Sequence, residues 1–291
     1  MATIGEWRMR LRQELQPVAG EFAATDADAI LGEVLSAHPT ELTLRYREPV
    51  EPVEEAHLTA LLVKRLSGSP LAYVLGHIEF YGLDFLCDER VLIPRPETEE
   101  LVNVALRALP PPVSGAQPLV LEVGTGAGNI AVALAHQRPD LRLIATDLSG
   151  DALAVARENA RRHGEDRRIT FIQTRTLDGF GPVPRFDLIV SNPPYIPADD
   201  PAVQPSVHDY EPHIALYAGS DGTEILSELI TQAHALLKPG GALACEIGFM
   251  QEQPLAALIA RVPHWEAPVF HRSIAGFDRV LELRRLTTGL S

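Results

Sequence analysis

The chain has 291 residues, 46% of them hydrophobic, so it is long enough for a large domain plus a smaller one and apolar enough to build a core rather than remain disordered. Its formal net charge of −14 disfavours sequence-independent binding to nucleic acid without excluding it, because phosphate contacts need Lys and Arg. The two cysteines, Cys87 and Cys245, lie far apart without ligand spacing, which argues against a disulfide framework and against a zinc site.

The first predicted region, residues 1–68, is helical. Apolar residues recur there at helical spacing, and Asp26 and Pro52 lie where helix starts are expected. The N-terminus has no signal-peptide pattern, and the chain has no uninterrupted apolar run of about 20 residues. These observations predict a small helical packing or docking domain, in a cytoplasmic protein that does not enter a membrane.

Residues 69–98 change in character and are predicted to form a linker. A Ser-Pro pair interrupts the helical pattern, and residues 79–85 alternate around a glycine in the manner of a short β-hairpin. The two prolines within 93–96 exclude regular helix, since each fixes φ and drives the residue before it towards extended geometry. A helix with acidic residues in its first turn is then predicted for residues 97–109.

From residue 119 the pattern alternates strands with helices. Such alternation predicts a parallel sheet covered by helices on both faces, and hence an α/β domain over residues 99–291. Two further strand-like runs, 264–271 and 278–284, lie too close together for a crossover helix, so we expect an antiparallel pair at the sheet edge. The predicted strands of the alternating part are 119–123, 141–147, 169–174, 186–191 and 242–247, and its helices are 130–137, 152–163 and 224–237.

A glycine-rich loop follows the first of these strands. It consists of Gly124, Thr125, Gly126, Ala127 and Gly128. Its glycines permit positive φ and let a ligand approach the backbone closely. A dinucleotide fingerprint has glycine at the first, third and sixth positions; here the third glycine stands at the fifth, so a pyrophosphate cradle is disfavoured. The loop, preceded by Glu122, resembles the first motif of class I methyltransferases, which implies a Rossmann-like sheet and a site for the amino-acid part of S-adenosylmethionine. The alternative is a tight βα turn without a ligand.

Asp147 ends the second predicted strand, about 20 residues beyond the loop, where an acidic residue accepts hydrogen bonds from ribose in nucleotide-binding βαβ units. The alternative role for Asp147 is to cap the helix that begins near Ala152. Because the spacing and the glycine loop agree with each other, ribose binding is favoured.

The tetrapeptide Asn192-Pro193-Pro194-Tyr195 follows the fourth strand, at the sheet edge where open α/β sheets bind ligands. An amide NH₂ has two donors, and we predict that the Asn192 side-chain carbonyl and a backbone carbonyl near Pro193 accept both. The prolines stiffen the segment, and Tyr195 is expected to lie flat against a planar amide or base. We therefore assign catalysis to Asn192, Pro193 and Tyr195, and substrate binding to all four residues.

This arrangement suits a weak nucleophile. Holding an amide nitrogen in line with an activated methyl group accelerates transfer by proximity and orientation, and the reaction then needs neither a metal nor a covalent nucleophile. The tetrapeptide resembles a motif of methyltransferases that act on exocyclic or amide nitrogens, namely those of DNA adenine, some ribosomal RNA guanines and protein glutamine.

Further segments carry a closer resemblance. They are PLAYVLG at 70–76, EFYGL at 79–83, LIPRPETE at 92–99, DYEP at 209–212, LKPGG at 237–241, EIG at 246–248 and GFDRV at 276–280. Together they resemble the release factor glutamine methyltransferase family, also called HemK or PrmC, over residues from about 69 to 285. The joint occurrence of RPETE and NPPY is highly specific for that family.

The resemblance implies N5-methylation of the glutamine in the Gly-Gly-Gln motif of class-1 peptide chain release factors, with S-adenosylmethionine as donor and S-adenosylhomocysteine as product. It also implies that the N-terminal helices help to engage the release factor. From the charge of −14 and the small N-terminal region we expect no direct contact with nucleic acid. By the same resemblance, 124–128, Asp147 and Asn192 would contact the cofactor, 192–195 would hold the glutamine, and 93–99 would wall the site as a lid.

One segment departs from the family pattern. After the third strand the family usually carries an acidic residue and then an aromatic or apolar one against the adenine. Here Arg175 stands where the carboxylate is expected, and Thr176 and Leu177 follow it. We assign Thr176 and Leu177 to the cofactor, with Asp178 as a substitute carboxylate if the loop shifts.

Two charged residues of the quoted segments have open roles. Glu246 ends a strand and either approaches the crevice or serves the structure. Arg95 either forms a salt bridge or positions the lid.

Three alternative functions remain open. The first is glutamine methylation of a ribosomal protein by a sister family, which lacks the second proline and the Glu-Thr-Glu of 95–99. The second is methylation of an amino group in nucleic acid, which the charge of −14 disfavours. The third is a non-catalytic module that binds the cofactor, against which the intact glycine loop, Asp147 and Asn192 argue.

Overall fold

In the computed structural model, which describes residues 1–198, 200–273 and 276–287, the chain divides into two compact units. The first comprises Met1–His77 and Gln204–Tyr210, and the second comprises Ile78–Val203 and Glu211–Ser291. The functional division into a docking domain, a lid linker and a methyltransferase domain stays a prediction.

The first unit is helical. A Thr3 and Glu6 capping box starts the first helix, and buried side chains such as Trp7, Leu15 and Ile30 form one core. The helices are α1 (Ile4–Ala19), α2 (Ala23–Leu35), α3 (Pro39–Leu44), α4 (Pro52–Leu66), α5 (Leu71–Leu75) and, later in the chain, α9 (Pro205–Tyr210).

Of the two predicted helix starts in this unit, the structure confirms Pro52 and corrects Asp26. Pro52 is the first residue of α4, where its fixed φ suits a helix and its missing N–H leaves no bond unmade. Asp26 is not a helix start, because α2 already begins at Ala23. Its buried carboxylate instead accepts a hydrogen bond from Arg65 Nε at 2.8 Å.

The predicted hairpin is present as β1 (His77–Phe80) and β2 (Leu83–Leu86). Tyr81 and Gly82 connect the strands with φ of 54° and 73°. Two consecutive positive φ values are the geometry that a two-residue hairpin loop requires.

The second unit contains a mixed seven-stranded sheet with the order β5-β4-β3-β6-β7-β9-β8. The first five strands of that order are mutually parallel, and β9 runs antiparallel to β7 and β8. The strands are β3 (Leu119–Val123), β4 (Arg142–Asp147), β5 (Ile169–Gln173), β6 (Phe186–Ser191), β7 (Leu237–Glu246), β8 (Val269–Arg272) and β9 (Asp278–Arg284). The predicted α/β class with an antiparallel sheet edge is therefore confirmed.

Helices cover both faces of this sheet. Successive strand residues point to opposite faces, so Val120 joins the core under α6 and α7 while Leu121 joins the core under α10 and α11. The helices of the unit are α6 (Thr98–Ala108), α7 (Asn129–Gln137), α8 (Gly150–Arg162), α10 (Glu224–Gln232) and α11 (Glu252–Ile259). Within the described residues, none of the helices of the chain is both long and apolar enough to span a bilayer.

The bounds of three predicted elements were wrong. Helix α10 ends at Gln232, and β7 begins at Leu237 rather than at residue 242. The LKPGG segment enters the strand because the β6–β7 register shifts between Phe186 and Leu188, which accommodates the extra residues as a bulge. The strand predicted for 264–271 is shorter, since only Val269–Arg272 pairs with β9 as a regular strand.

Candidate active site

A cavity of about 340 Å³ lies in the second unit, where the sheet changes its winding direction. Strand β3 pairs with β4 on one side and with β6 on the other, and Val123 is in register with Ser191. The residues that follow this pair, Gly124 and Asn192, both line the cavity. This crevice is the usual ligand position in an open α/β sheet.

The glycine loop forms one wall of the cavity through residues 124–127. Gly124, Gly126 and Gly128 have φ of 74°, 53° and 81°, which L side chains rarely adopt. A Cβ added to Gly126 would meet no described atom within 4 Å, so the space in front of the loop is open. A Cβ added to Gly128 would lie 3.0 Å from that of Ala156, so Gly128 serves the packing of α7 against α8.

Asp147 also lines the cavity, and its carboxylate fixes the loop. Oδ2 accepts from the Gly126 N–H at 2.9 Å, and Oδ1 accepts from the Ser149 N–H at 2.9 Å. The cap of α8 is Ser149, whose hydroxyl accepts from the Ala152 N–H at 3.1 Å. Each carboxylate oxygen of Asp147 keeps a lone pair that can accept a further hydrogen bond. Burial raises the pKa of this carboxyl group.

A second carboxyl group lies beneath the loop. Glu122 is fully buried, and the Thr125 hydroxyl lies 2.6 Å from its Oε2. Its Oε1 has no hydrogen-bond partner among the described residues. Burial raises the pKa of Glu122 to about 8, so the group is mostly protonated at neutral pH.

The NPPY tetrapeptide forms the facing wall. Asn192, Pro193 and Pro194 line the cavity, and the Asn192 Nδ2 donates to Thr98 Oγ1 at 3.2 Å. Tyr195 differs from the prediction in its surroundings: its hydroxyl donates to Glu246 Oε1 at 3.1 Å, and it is not among the lining residues described. Burial raises the pKa of Tyr195, so it stays a neutral donor.

The segment after β5 contributes Thr174, Arg175 and Thr176 to the cavity wall. Leu177 is buried in the core cluster that includes Val123. Asp178 is not among the described lining residues, and its backbone carbonyl accepts from the Thr174 hydroxyl at 2.7 Å. A carboxylate does reach this wall, but it comes from Glu224 of α10.

The segment before α6 closes another side. Leu92, Ile93, Pro94, Arg95 and Thr98 line the cavity, as the resemblance implied for residues 93–99. Arg95 forms an ion pair with Glu211, which also accepts from the Ile93 N–H at 3.1 Å. Glu211 is buried, so within the second unit this carboxylate ties the lid segment to the segment that follows α9.

Several contributors were missed from the sequence. Glu211 lies within the DYEP segment, which was the available signal, but it was not assigned to the site. Thr98 was placed only as part of the 93–99 wall, and Glu246 was left between a role in the crevice and a structural role. The stretch Ile214 to Gly219, which lines the cavity through Ile214, Ala215, Tyr217, Ala218 and Gly219, carried no signal. Among the described residues, no group of three or more His, Cys, Asp or Glu side chains is arranged to hold a metal ion.

Two protein families match parts of the chain: the methyltransferase small domain at residues 102–207 and the PrmC N-terminal domain at residues 6–76. The chain is 37% identical to the release factor glutamine methyltransferase of Nitratidesulfovibrio vulgaris over 98% of this chain and 96% of that protein. It is 40% identical to the release factor glutamine methyltransferase of Geobacter sulfurreducens, over 83% of this chain and 82% of that protein. It is 42% identical to the release factor glutamine methyltransferase of Cereibacter sphaeroides, over 81% of this chain and 82% of that protein.

Solved structures share the fold at low sequence identity. The catalytic domain of hMettl16 is 15% identical, with a TM-score of 0.56 over 82% of this chain and 83% of that chain. The human methyltransferase 10 domain containing protein is also 15% identical, with a TM-score of 0.51 over 72% of this chain and 90% of that chain. These likenesses support the methyltransferase fold alone.

Proposed function

We propose, from the premise that this chain belongs to the release factor glutamine methyltransferase family, that it methylates a glutamine side chain of class-1 peptide chain release factors. The methyl donor is S-adenosylmethionine, and the acceptor is the N5 amide nitrogen of the glutamine in the Gly-Gly-Gln motif. A cytoplasmic location belongs to the same proposal.

The residues around the cavity suit the proposed cofactor. The open space in front of Gly126 leaves room for a ligand against the loop backbone. The Asp147 carboxylate, with lone pairs to spare beyond its two backbone bonds, suits a pair of ribose hydroxyls. When bound, the sulfonium supplies an activated methyl group, so that the overall products are the methylated amide, S-adenosylhomocysteine and a proton.

The observation that carries the proposal is the orientation of Asn192. Its Nδ2 is turned towards Thr98 at 3.2 Å, so its Oδ1 remains to accept a hydrogen bond from a substrate amide in the cavity. Pro193 and Pro194 lack N–H groups, so this part of the wall presents acceptors rather than donors. Two acceptors match the two N–H groups of a glutamine side chain.

These residues act on the substrate in two ways. Acceptors on both N–H groups hold the amide nitrogen in one orientation, which replaces a random encounter by an aligned one. They also stabilise positive charge that develops on nitrogen as the new N–C bond forms. The apolar side chains of Leu92, Ile93 and Pro94 line the same space and disfavour water beside the amide.

The test is transfer of a labelled methyl group from S-adenosylmethionine to an unmethylated class-1 release factor, beside the variant with Gln→Ala at the Gly-Gly-Gln motif. We expect label on the first protein and none on the second. Absence of label on both would overturn the substrate assignment and would direct the same assay to ribosomal proteins and nucleic acid.

A further inference from the structure

We propose that Thr98 and Glu246 are positioning residues that select one of the two amide orientations of Asn192. The inference rests on the proposed function, because it concerns how Asn192 presents its carbonyl to the substrate. It adds two residues whose effect on the substrate amide is exerted through Asn192, although Thr98 itself also lines the cavity.

The three side chains form a hydrogen-bonded chain. Asn192 Nδ2 donates to Thr98 Oγ1 at 3.2 Å, and the Thr98 hydroxyl donates to Glu246 Oε2 at 2.7 Å. Thr98 lies at the start of α6 and Glu246 at the end of β7, and each is 1% exposed. Water therefore has little access to Thr98 and Glu246, so a hydrogen bond pointed the wrong way there would leave a buried polar group unpaired.

The direction of these hydrogen bonds follows from the number of protons that each side chain can donate. A hydroxyl has one proton, and Thr98 gives it to a carboxylate oxygen, so only its lone pairs face Asn192. An amide oxygen in that position would place two acceptors against each other in a buried site. The NH₂ group of Asn192 is therefore held towards Thr98, and the oxygen is left for the cavity.

Burial raises the pKa of Glu246, and its hydrogen-bond donors and the nearby guanidinium act in the opposite direction, towards the ionised acceptor. The Tyr195 hydroxyl donates to Oε1 at 3.1 Å, and Arg279 Nε lies 4.0 Å from the same oxygen. The guanidinium also lies over the Tyr195 ring, 5.6 Å from its centroid. One carboxylate thus anchors both ends of the tetrapeptide, Asn192 through Thr98 and Tyr195 directly.

The reverse orientation would disable the site. It would point the two N–H donors of Asn192 at the N–H groups of a substrate amide, so no hydrogen bond would form between them. The fraction of molecules with the correct orientation then limits methyl transfer, whereas cofactor binding against the glycine loop does not depend on it.

The experiment compares Thr98→Val, which keeps the shape without the hydroxyl, with Thr98→Ser, which keeps the hydroxyl. We expect Thr98→Val to lower kcat for a release factor by about 10- to 100-fold, the scale of a misaligned reacting group. Thr98→Ser should stay within about threefold of wild type, and calorimetric affinity for S-adenosylhomocysteine should change less than about threefold in both. Equal losses in the two variants would indicate packing alone and would overturn the inference, as would a normal kcat in a folded Thr98→Val.

Glu246→Gln carries the test if Thr98→Val does not fold. A glutamine presents either an oxygen or an NH₂ group to Thr98, so both Asn192 orientations become populated and kcat should fall with little change in cofactor affinity. An unchanged kcat in Glu246→Gln would contradict the inference.

A second readout separates this inference from the proposed function. The side-chain ¹⁵N–¹H resonances of Asn192, assigned by their loss in Asn192→Ala, should shift and exchange faster with solvent in Thr98→Val. If wild type labels no release factor, the proposed function fails while these resonances still report on the orientation. Unchanged resonances in Thr98→Val would show that Thr98 does not hold the amide.

Discussion

Arg175 Nη2 lies 3.2 Å from Glu228 Oε2, so the guanidinium that replaces the expected family carboxylate is itself held by an acidic residue of α10. Glu224 Oε1, one turn earlier on the same helix, lies 3.8 Å from Arg175 Nη2. Arg175 and Glu224 both line the cavity, whereas Glu228 is not among the described lining residues. The carboxylate of this wall is therefore supplied by α10 and not by the segment after β5.

We predict that Glu224→Ala weakens binding of S-adenosylhomocysteine by about 3- to 10-fold, the loss of one partly exposed hydrogen bond to a charged acceptor. The amino-acid part of the ligand is expected at the β3 loop and the ribose at β4, so the base reaches the wall beside β5. There Glu224 can accept from the adenine amine. Isothermal titration calorimetry measures the affinity, and Glu266→Ala, an exposed carboxylate outside the cavity lining, is the matched control. Equal affinities in both variants would contradict the assignment.

Asn192→Ala should lower methyl transfer to a release factor by orders of magnitude while it keeps most of the affinity for the cofactor. The substitution removes the acceptor for the substrate amide but leaves the glycine loop and Asp147 intact. Single-turnover transfer of labelled methyl measures the first quantity and calorimetry the second. Asn103→Ala is the control, because that amide accepts from the Tyr81 hydroxyl at 2.9 Å and is absent from the described lining. Near-normal turnover in Asn192→Ala would show that the nitrogen-holding role is wrong.

Gly126→Ala should mainly weaken cofactor binding, whereas Gly128→Ala should mainly lower stability. Both residues have positive φ, so each substitution costs about 1 kcal/mol of backbone strain. The added methyl of Gly126→Ala projects into open space in front of the loop, so cofactor affinity should fall more than stability. That of Gly128→Ala would lie 3.0 Å from Ala156 Cβ, so stability should fall more than affinity. Calorimetry and thermal unfolding on both variants measure the contrast, and the same loss profile in the two would refute it.

Glu122 should make the stability of the second unit depend on pH. Its pKa is raised by burial from 4.5 to about 8, so between those values the folded state holds a proton that the unfolded state has released. Stability therefore falls as pH rises through that window, by at most about 1.4 kcal/mol per pH unit, and levels off above about pH 8. We expect Glu122→Gln to remove this part of the pH dependence.

Tryptophan fluorescence during urea unfolding at pH 5.5, 7 and 8.5 provides the measurement. The chain has two tryptophans, Trp7 in the first unit and Trp265 in the second, so a Trp7→Phe background reports on the second unit alone. The unfolding midpoint should fall between pH 5.5 and 8.5 by clearly more in the parent than in Glu122→Gln. Parallel pH profiles would mean that Glu122 titrates alike in the folded and unfolded chain.

Much of the fold was predictable because its signals are local. The alternation of apolar runs with helical patterns reports which face of each element is buried, and that sufficed for the parallel sheet and its antiparallel edge. Element bounds were less predictable: the Pro-Gly-Gly of the LKPGG segment indicates a turn, yet the neighbouring strand β6 draws it into β7 through a register shift.

The site likewise contains residues that local sequence signals predict and residues that only the packing of distant elements brings together. By itself the sequence determined the glycine loop, Asp147 and Asn192 as cavity candidates, because each follows a strand whose carboxyl end must lie at one edge of a parallel sheet. Only the tertiary structure decided that Asn192 meets Thr98, which precedes it by 94 residues, and that Thr98 meets Glu246, which follows Thr98 by 148 residues. It also turned the Tyr195 hydroxyl towards Glu246 and placed Glu224 beside Arg175. The physical reason is that a hydrogen bond between distant residues depends on how whole elements pack, and no local periodicity encodes that packing.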